Sequence, residues 1–104
     1  MNRYYLTGVC IDERTIGISK IQDSVNQYGS IIDFKFFSDI SISFIIEISE
    51  NKVKEMHTNL SDVISLSDLK IPPSESNNDC IILLNISFTK GSGNKRNEIS
   101  DIGD

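Results

Sequence analysis

At 104 residues the chain has the length of one domain, and a hydrophobic share of 38% supplies one modest core. Its 15 acidic against 10 basic residues give a net charge of −5, which excludes a bulk binder of nucleic acid or anionic membrane, since those surfaces need a cationic field. Isoleucine occurs 18 times, while alanine and tryptophan do not occur at all. Isoleucine is stiff at χ1 and suits a pleated surface, whereas alanine is the best helix former, so the composition leans toward sheet.

The chain opens on Met1-Asn2-Arg3 and runs directly into a strand pattern, without the apolar region of a signal peptide. No apolar stretch approaches the roughly 18 residues of a spanning helix. Cys10 and Cys80 are too few and too isolated for a disulfide framework or a zinc site. A soluble cytoplasmic protein is expected, and the Asn59-Leu60-Ser61 and Asn85-Ile86-Ser87 sequons are read as chance.

In chain order, Arg3 to Ile11 is rich in β-branched and aromatic residues and reads as a strand. Ile18, Ile21, Val25 and Tyr28 then recur at spacings of three, four and three, the stripe of an amphipathic helix. Thr15 is expected as its N-cap, with Asp12 and Glu13 near the positive end of the helix dipole. Gly29 stands where a left-handed cap would end it. Residues 31–37 and 40–48 read as a hairpin around Ser38-Asp39. In its second strand Ile40, Ile42, Phe44, Ile46 and Ile48 share a face, opposite Ser41, Ser43, Ile45 and Glu47.

A second helix begins near Ser49 or Glu50, where Val53, Met56, Leu60 and Val63 repeat the same spacing and Glu50 lies four residues before Lys54. Residues 65–78 are a polar connector containing Pro72-Pro73, in which Leu66, Leu69 and Ile71 offer a short edge segment. Cys80 to Thr89 is the last strand, apolar on both faces at its start, as an interior strand is. Residues 90–104 hold almost no core material and read as a flexible tail. The domain thus spans residues 1–89.

The order β-α-β-β-α-β predicts an α+β, ferredoxin-like domain: a four-stranded antiparallel sheet with two helices on one face. Right-handed crossovers place the first strand between the fourth and the third. The helix-free face is then polar or covered by another subunit. Tyr4, Leu6, Ile45 and Leu83 or Leu84 are the residues expected to leave apolar surface there, which favours a homodimer formed through the sheet or by edge pairing.

Over residues 3–89 the chain resembles the ACT domain, the small regulatory module of amino-acid metabolism. The family ends its first strand with an acidic residue, a basic residue, proline and glycine. Glu13-Arg14-Thr15-Ile16 occupies that place here, with Gly17 one position later. Gly29-Ser30-Ile31-Ile32-Asp33-Phe34 resembles the family's second-strand start, and Ser38 to Phe44 is similar to the hairpin of aspartate kinase regulatory domains. The resemblance implies an allosteric module that binds an amino acid or similar small molecule at a dimer interface. Its ligand residues would be Asp12, Glu13, Arg14, Thr15, Ile16, Gly17, Ile31 and Ile32. It also implies a partner enzyme or regulator. Thr15 stands for the family's proline and Ile16 for its glycine, so the alternative is a structural or protein-interaction module of the same fold without the ligand site.

The remaining motifs point away from chemistry. An amide cluster at a helix N-terminus holds a carboxylate, and Asp12 or Glu13 an ammonium group, but the same loop also reads as a plain strand-to-helix turn. In the antiparallel topology Cys10 and Cys80 are neighbours, yet they lack a Cys-x-x-Cys spacing and read as buried hydrophobes. His57, the one histidine, lacks ligand or catalytic partners at suitable spacing. Lys90 to Arg96 is basic and glycine-rich without being a P-loop. Phe34, Phe36 and Phe37 carry only Lys35 between them, against what an RNA-recognition sheet requires. The sequence calls for no enzyme, cofactor or metal.

Overall fold

The structure is a computed structural model and describes residues 1–70 and 75–90. Ile71, Pro72-Pro73 and the expected tail beyond Lys90 lie outside the described residues. Strand β1 (Arg3–Cys10) leads into helix α1 (Arg14–Val25), followed by β2 (Gly29–Ser38) and β3 (Ser41–Ser49). A 3-10 turn at Glu50–Lys52 opens α2 (Val53–Ser61), and the short β4 (Ser65–Leu66) and β5 (Asp79–Phe88) complete the domain.

The α+β class and the placement of both helices on one face hold. The sheet itself differs from the expected one. Among the described residues it has five strands in the order β2-β3-β5-β1-β4, and it is mixed. β5 runs parallel to β1, from Arg3 opposite Ile81 to Cys10 opposite Phe88, and antiparallel to β3. β1 is therefore not seated beside β3; the last strand lies between them.

The connector explains the change. After α2, the chain lays Ser65–Leu66 antiparallel along β1, at Val9 and Gly8, where a ferredoxin-like fourth strand would begin. It then returns to the other end of the sheet, where Asn51 N donates to Ser76 O and Glu50 N to Asn78 O, both at 2.9 Å. β5 starts from that end and so inserts as an interior strand. Its alternate apolar residues suit this position: Cys80, Ile82, Leu84, Ile86 and Phe88 are buried toward the helices.

The same parity fills the core from β3, where Ile42, Phe44, Ile46 and Ile48 are buried, each such side chain contributing about 1.5–3 kcal/mol. Ile40, expected on that face, sits in the hairpin turn and is half exposed. From the helices Ile21, Val25, Val53, Met56 and Leu60 close the core, with Ile18, Tyr28 and Val63 partly buried around it. Ser24 is buried between the helices and donates to Asn59 Oδ1 at 2.6 Å. Leu66 and Leu69 pack against the core edge, and the His57 ring reaches Ser67 O at 2.7 Å, tying α2 to the returning chain.

Two glycines serve packing. Gly29 is not a left-handed cap: α1 ends at Asn26 in right-handed geometry, and Gly29 already belongs to β2 opposite Ile48. A Cβ there would lie 2.6 Å from Glu47 O. At Gly17 an added Cβ would lie 2.6 Å from Cys10 Sγ and 2.9 Å from Phe88 Cε1, so α1 rests directly on the sheet.

Candidate interaction surface

The loop that carries most of the expected ligand residues is occupied by its own side chains. Glu13, not Thr15, is the N-cap of α1. Its carboxylate accepts from Thr15 N at 3.0 Å and Ile16 N at 3.3 Å, while its carbonyl accepts from Gly17 N at 2.9 Å. These hydrogen bonds favour the ionised form and hold the Glu13 carboxyl below its ordinary pKa. The helix N-terminus thus already holds an anion, and it is Glu13.

Asp12 pairs with Lys20 at 3.0 Å. Arg14 reaches the hairpin turn, 3.2 Å from Asp39, with its guanidinium 4.9 Å from the centre of the Phe36 ring. Ile16 is exposed, and Gly17 faces the core as described. Ile31 and Ile32 lie elsewhere, beside Gln22 of α1 and its C-cap Asn26, where they line a shallow depression of about 310 Å3. The eight residues are not brought into one site.

The cysteines are also separated. Because β5 is parallel to β1, Cys10 stands opposite Phe88 while Cys80 lies at the far end of β5, about 26 Å away at the usual rise per residue. Both are buried and free, and burial pushes each thiol's pKa up. Among the described residues no cluster of three His, Cys, Asp or Glu is placed to hold a metal ion. Nor is any described helix long and apolar enough to cross a membrane.

What the structure leaves uncovered is the helix-free face and the β2 edge. Register aligns the open face in rows: Arg3, Ile81, Glu47 and Ser30; then Tyr5, Leu83, Ile45 and Asp33; then Thr7, Asn85, Ser43 and Lys35. The apolar belt therefore differs from the expected set. Leu6 and Leu84 point to the helices and are buried, and Tyr4 packs against the core, while Tyr5 is 69% exposed. Ile45 and Leu83 do lie on the open face. With Tyr5, Phe37, Asp33, Lys35, Ser43 and Asn85 they line a groove of about 300 Å3. Ser43 donates to Asn85 across its floor.

β2 is the more exposed element. Of its ten residues, eight are exposed, and these include Ile32, Phe34, Phe36 and Phe37. Phe34 and Phe36 lie on the helix side but outside the cover of α1, packed edge to face at 5.9 Å. Irregularities between Ile31 and Asp33, and between Phe36 and Ser38, bracket a regular central stretch.

The hydrogen-bond directions there follow from the neighbouring pair. Phe88 N donates to Ile40 O, so the even-numbered residues of β3 bond to β5 and the odd-numbered ones to β2. Lys35 and Asp33, opposite Ser43 and Ile45, consequently bond inward. Phe34 and Phe36 direct their backbone groups outward at the sheet edge. Locally, Asp33 Oδ1 accepts the Phe34 amide at 2.8 Å.

No family model, curated protein or solved structure matches this chain. An edge strand with outward-facing aromatics was not singled out by sequence reasoning. The run Ile31-Ile32-Asp33-Phe34-Lys35-Phe36-Phe37 carries the signal, because its apolar residues exceed what one buried face can take.

Proposed function

We propose that the protein is a non-catalytic, self-associating interaction module. The observation that carries this reading is β2, a ten-residue edge strand whose Ile32, Phe34, Phe36 and Phe37 remain exposed. Long apolar edges of this kind are templates for pairing, and a protein that keeps one benefits from closing it. The groove over Tyr5, Ile45 and Leu83 adds apolar surface continuous with the strand. The amino-acid-sensing role implied by the ACT resemblance draws less support, because Glu13 takes the amides that a ligand carboxylate would use.

Sedimentation velocity of the full chain across the micromolar range tests the proposal, with a parallel thermal-shift screen against the amino acids. A dimer that forms without any amino acid is expected, with no shift at millimolar ligand. A monomer at every concentration overturns self-association. A saturable shift with one amino acid restores the sensing role.

A further inference from the structure

We propose that β2 pairs antiparallel with β2 of a second copy, about a two-fold axis through Phe34. This rests on the self-association reading and specifies its geometry. Phe34 directs its backbone groups outward, so it meets the partner's Phe34 as a hydrogen-bonded pair once Asp33 Oδ1, which accepts the Phe34 amide at 2.8 Å, releases that amide to the partner's carbonyl. Phe34 then faces the partner's Phe34, and Phe36 comes to the irregular Ile31–Asp33 segment of the partner. These half-exposed apolar side chains cover one another.

Charge selects this register over its neighbours. With the axis at Phe34, Asp33 stands opposite the partner's Lys35, and Lys35 opposite the partner's Asp33. Sliding by two residues puts either Asp33 opposite the partner's Asp33 or Lys35 opposite the partner's Lys35, which places like charges on the axis. The intervening odd registers turn the wrong faces together. Lys35 on an edge strand ordinarily discourages pairing. Here its neighbour Asp33 converts that barrier into a preference for one partner in one alignment.

The flanking irregularities confine pairing to the centre of the strand, and the two-fold operator uses the β2 edge of both copies, so this contact closes at two copies. The result is one continuous ten-stranded sheet with all four helices on the same side. The two open-face grooves, each containing Lys35, Asp33 and Phe37, come to lie side by side across the axis.

The charge pattern makes the proposal testable with residues that carry no core. Lys35→Asp should weaken the dimer about tenfold, since both opposed pairs become repulsive. Adding Asp33→Lys to it should return the dissociation constant to about the wild-type value, the pairs being reversed but again opposite. Independently, Phe34→Cys should cross-link to itself under mild oxidation, because Cα atoms of an antiparallel hydrogen-bonded pair lie about 5.5 Å apart, within disulfide reach. The two native cysteines are buried, which leaves Cys at position 34 as the accessible thiol.

A dimer indifferent to Lys35→Asp, or a double variant as weak as the single one, overturns the register while leaving self-association standing. A wild-type monomer overturns both.

Discussion

Replacing Gly17 by alanine sets two effects of known sign against each other. Alanine favours a helix interior over glycine by about 1 kcal/mol. Against that, the new methyl would lie 2.6 Å from Cys10 Sγ and 2.9 Å from Phe88 Cε1, and both neighbours are buried in the core with little room to withdraw. Overpacking of this kind costs about 1–3 kcal/mol. With two contacts under 3.0 Å the upper half of that range applies. The net expectation is a destabilisation of about 1–2 kcal/mol, or about 5–15 °C in Tm for a domain of this size. Thermal and urea unfolding followed by circular dichroism measure it.

The clash also predicts its own relief. Cys10→Ala alone should destabilise by removing a buried sulfur, but in the Gly17→Ala background it frees the space the methyl needs. The two substitutions should therefore couple favourably by about 1 kcal/mol in a double-mutant cycle. A Gly17→Ala variant more stable than the wild type would refute the reasoning. It would mean that α1 stands off the sheet and that Gly17 has open space beside it, the situation a ligand site would require.

Glu13 sets an acid-side dependence: its folded pKa is lowered, so its contribution is present above the ordinary value of 4.5 and lost as pH falls below it. Glu13→Gln should accordingly lower Tm at neutral pH, with the gap closing well below 4.5; a gap independent of pH would remove the capping role. Because Cys10 ends β1 beside Phe88 while Cys80 lies at the start of β5, oxidation of the native protein should yield no intramolecular disulfide by mass spectrometry, and both thiols should react with a thiol reagent only after denaturant is added. Phe44→Ala, which empties the centre of β3, should cost about 3–5 kcal/mol in equilibrium unfolding by urea.

Local pattern carried much of the architecture. The three-four spacing of Ile18, Ile21 and Val25 and that of Val53, Met56 and Leu60 mark the faces that the helices bury. The alternation from Ile42 to Ile48 marks the helix side of β3. What periodicity does not carry is the direction of a strand relative to its neighbours. Cys80 to Phe88 alternates identically whether it lies antiparallel at an edge or parallel in the interior. The doubly apolar start at Cys80-Ile81-Ile82-Leu83-Leu84 marks an interior strand, whereas a four-stranded ferredoxin-like order leaves it at an edge.

At the expected ligand loop the residue types were right for binding an amino acid and equally right for satisfying one another. Glu13 caps the helix, Asp12 meets Lys20, and Arg14 reaches Asp39. Such choices depend on rotamers and on where the β2–β3 turn falls, neither of which is written in spacing.

The parallel union of β1 with β5 imposes an order on the birth of this protein. The first strand and the last are partners over eight consecutive positions, and β5 is also the strand that joins β3 to β1. A nascent chain lacking its final strand therefore holds two fragments, the β2–β3 hairpin and β1, with nothing between them. Since long-range pairing is slow and is rewarded only after loop closure, folding should wait until residue 88 has left the ribosome. During that interval the aromatic edge of β2 is presented beside an unfilled seam that another chain's β5 can enter. Premature termination before Cys80 should thus yield insoluble product rather than a smaller domain.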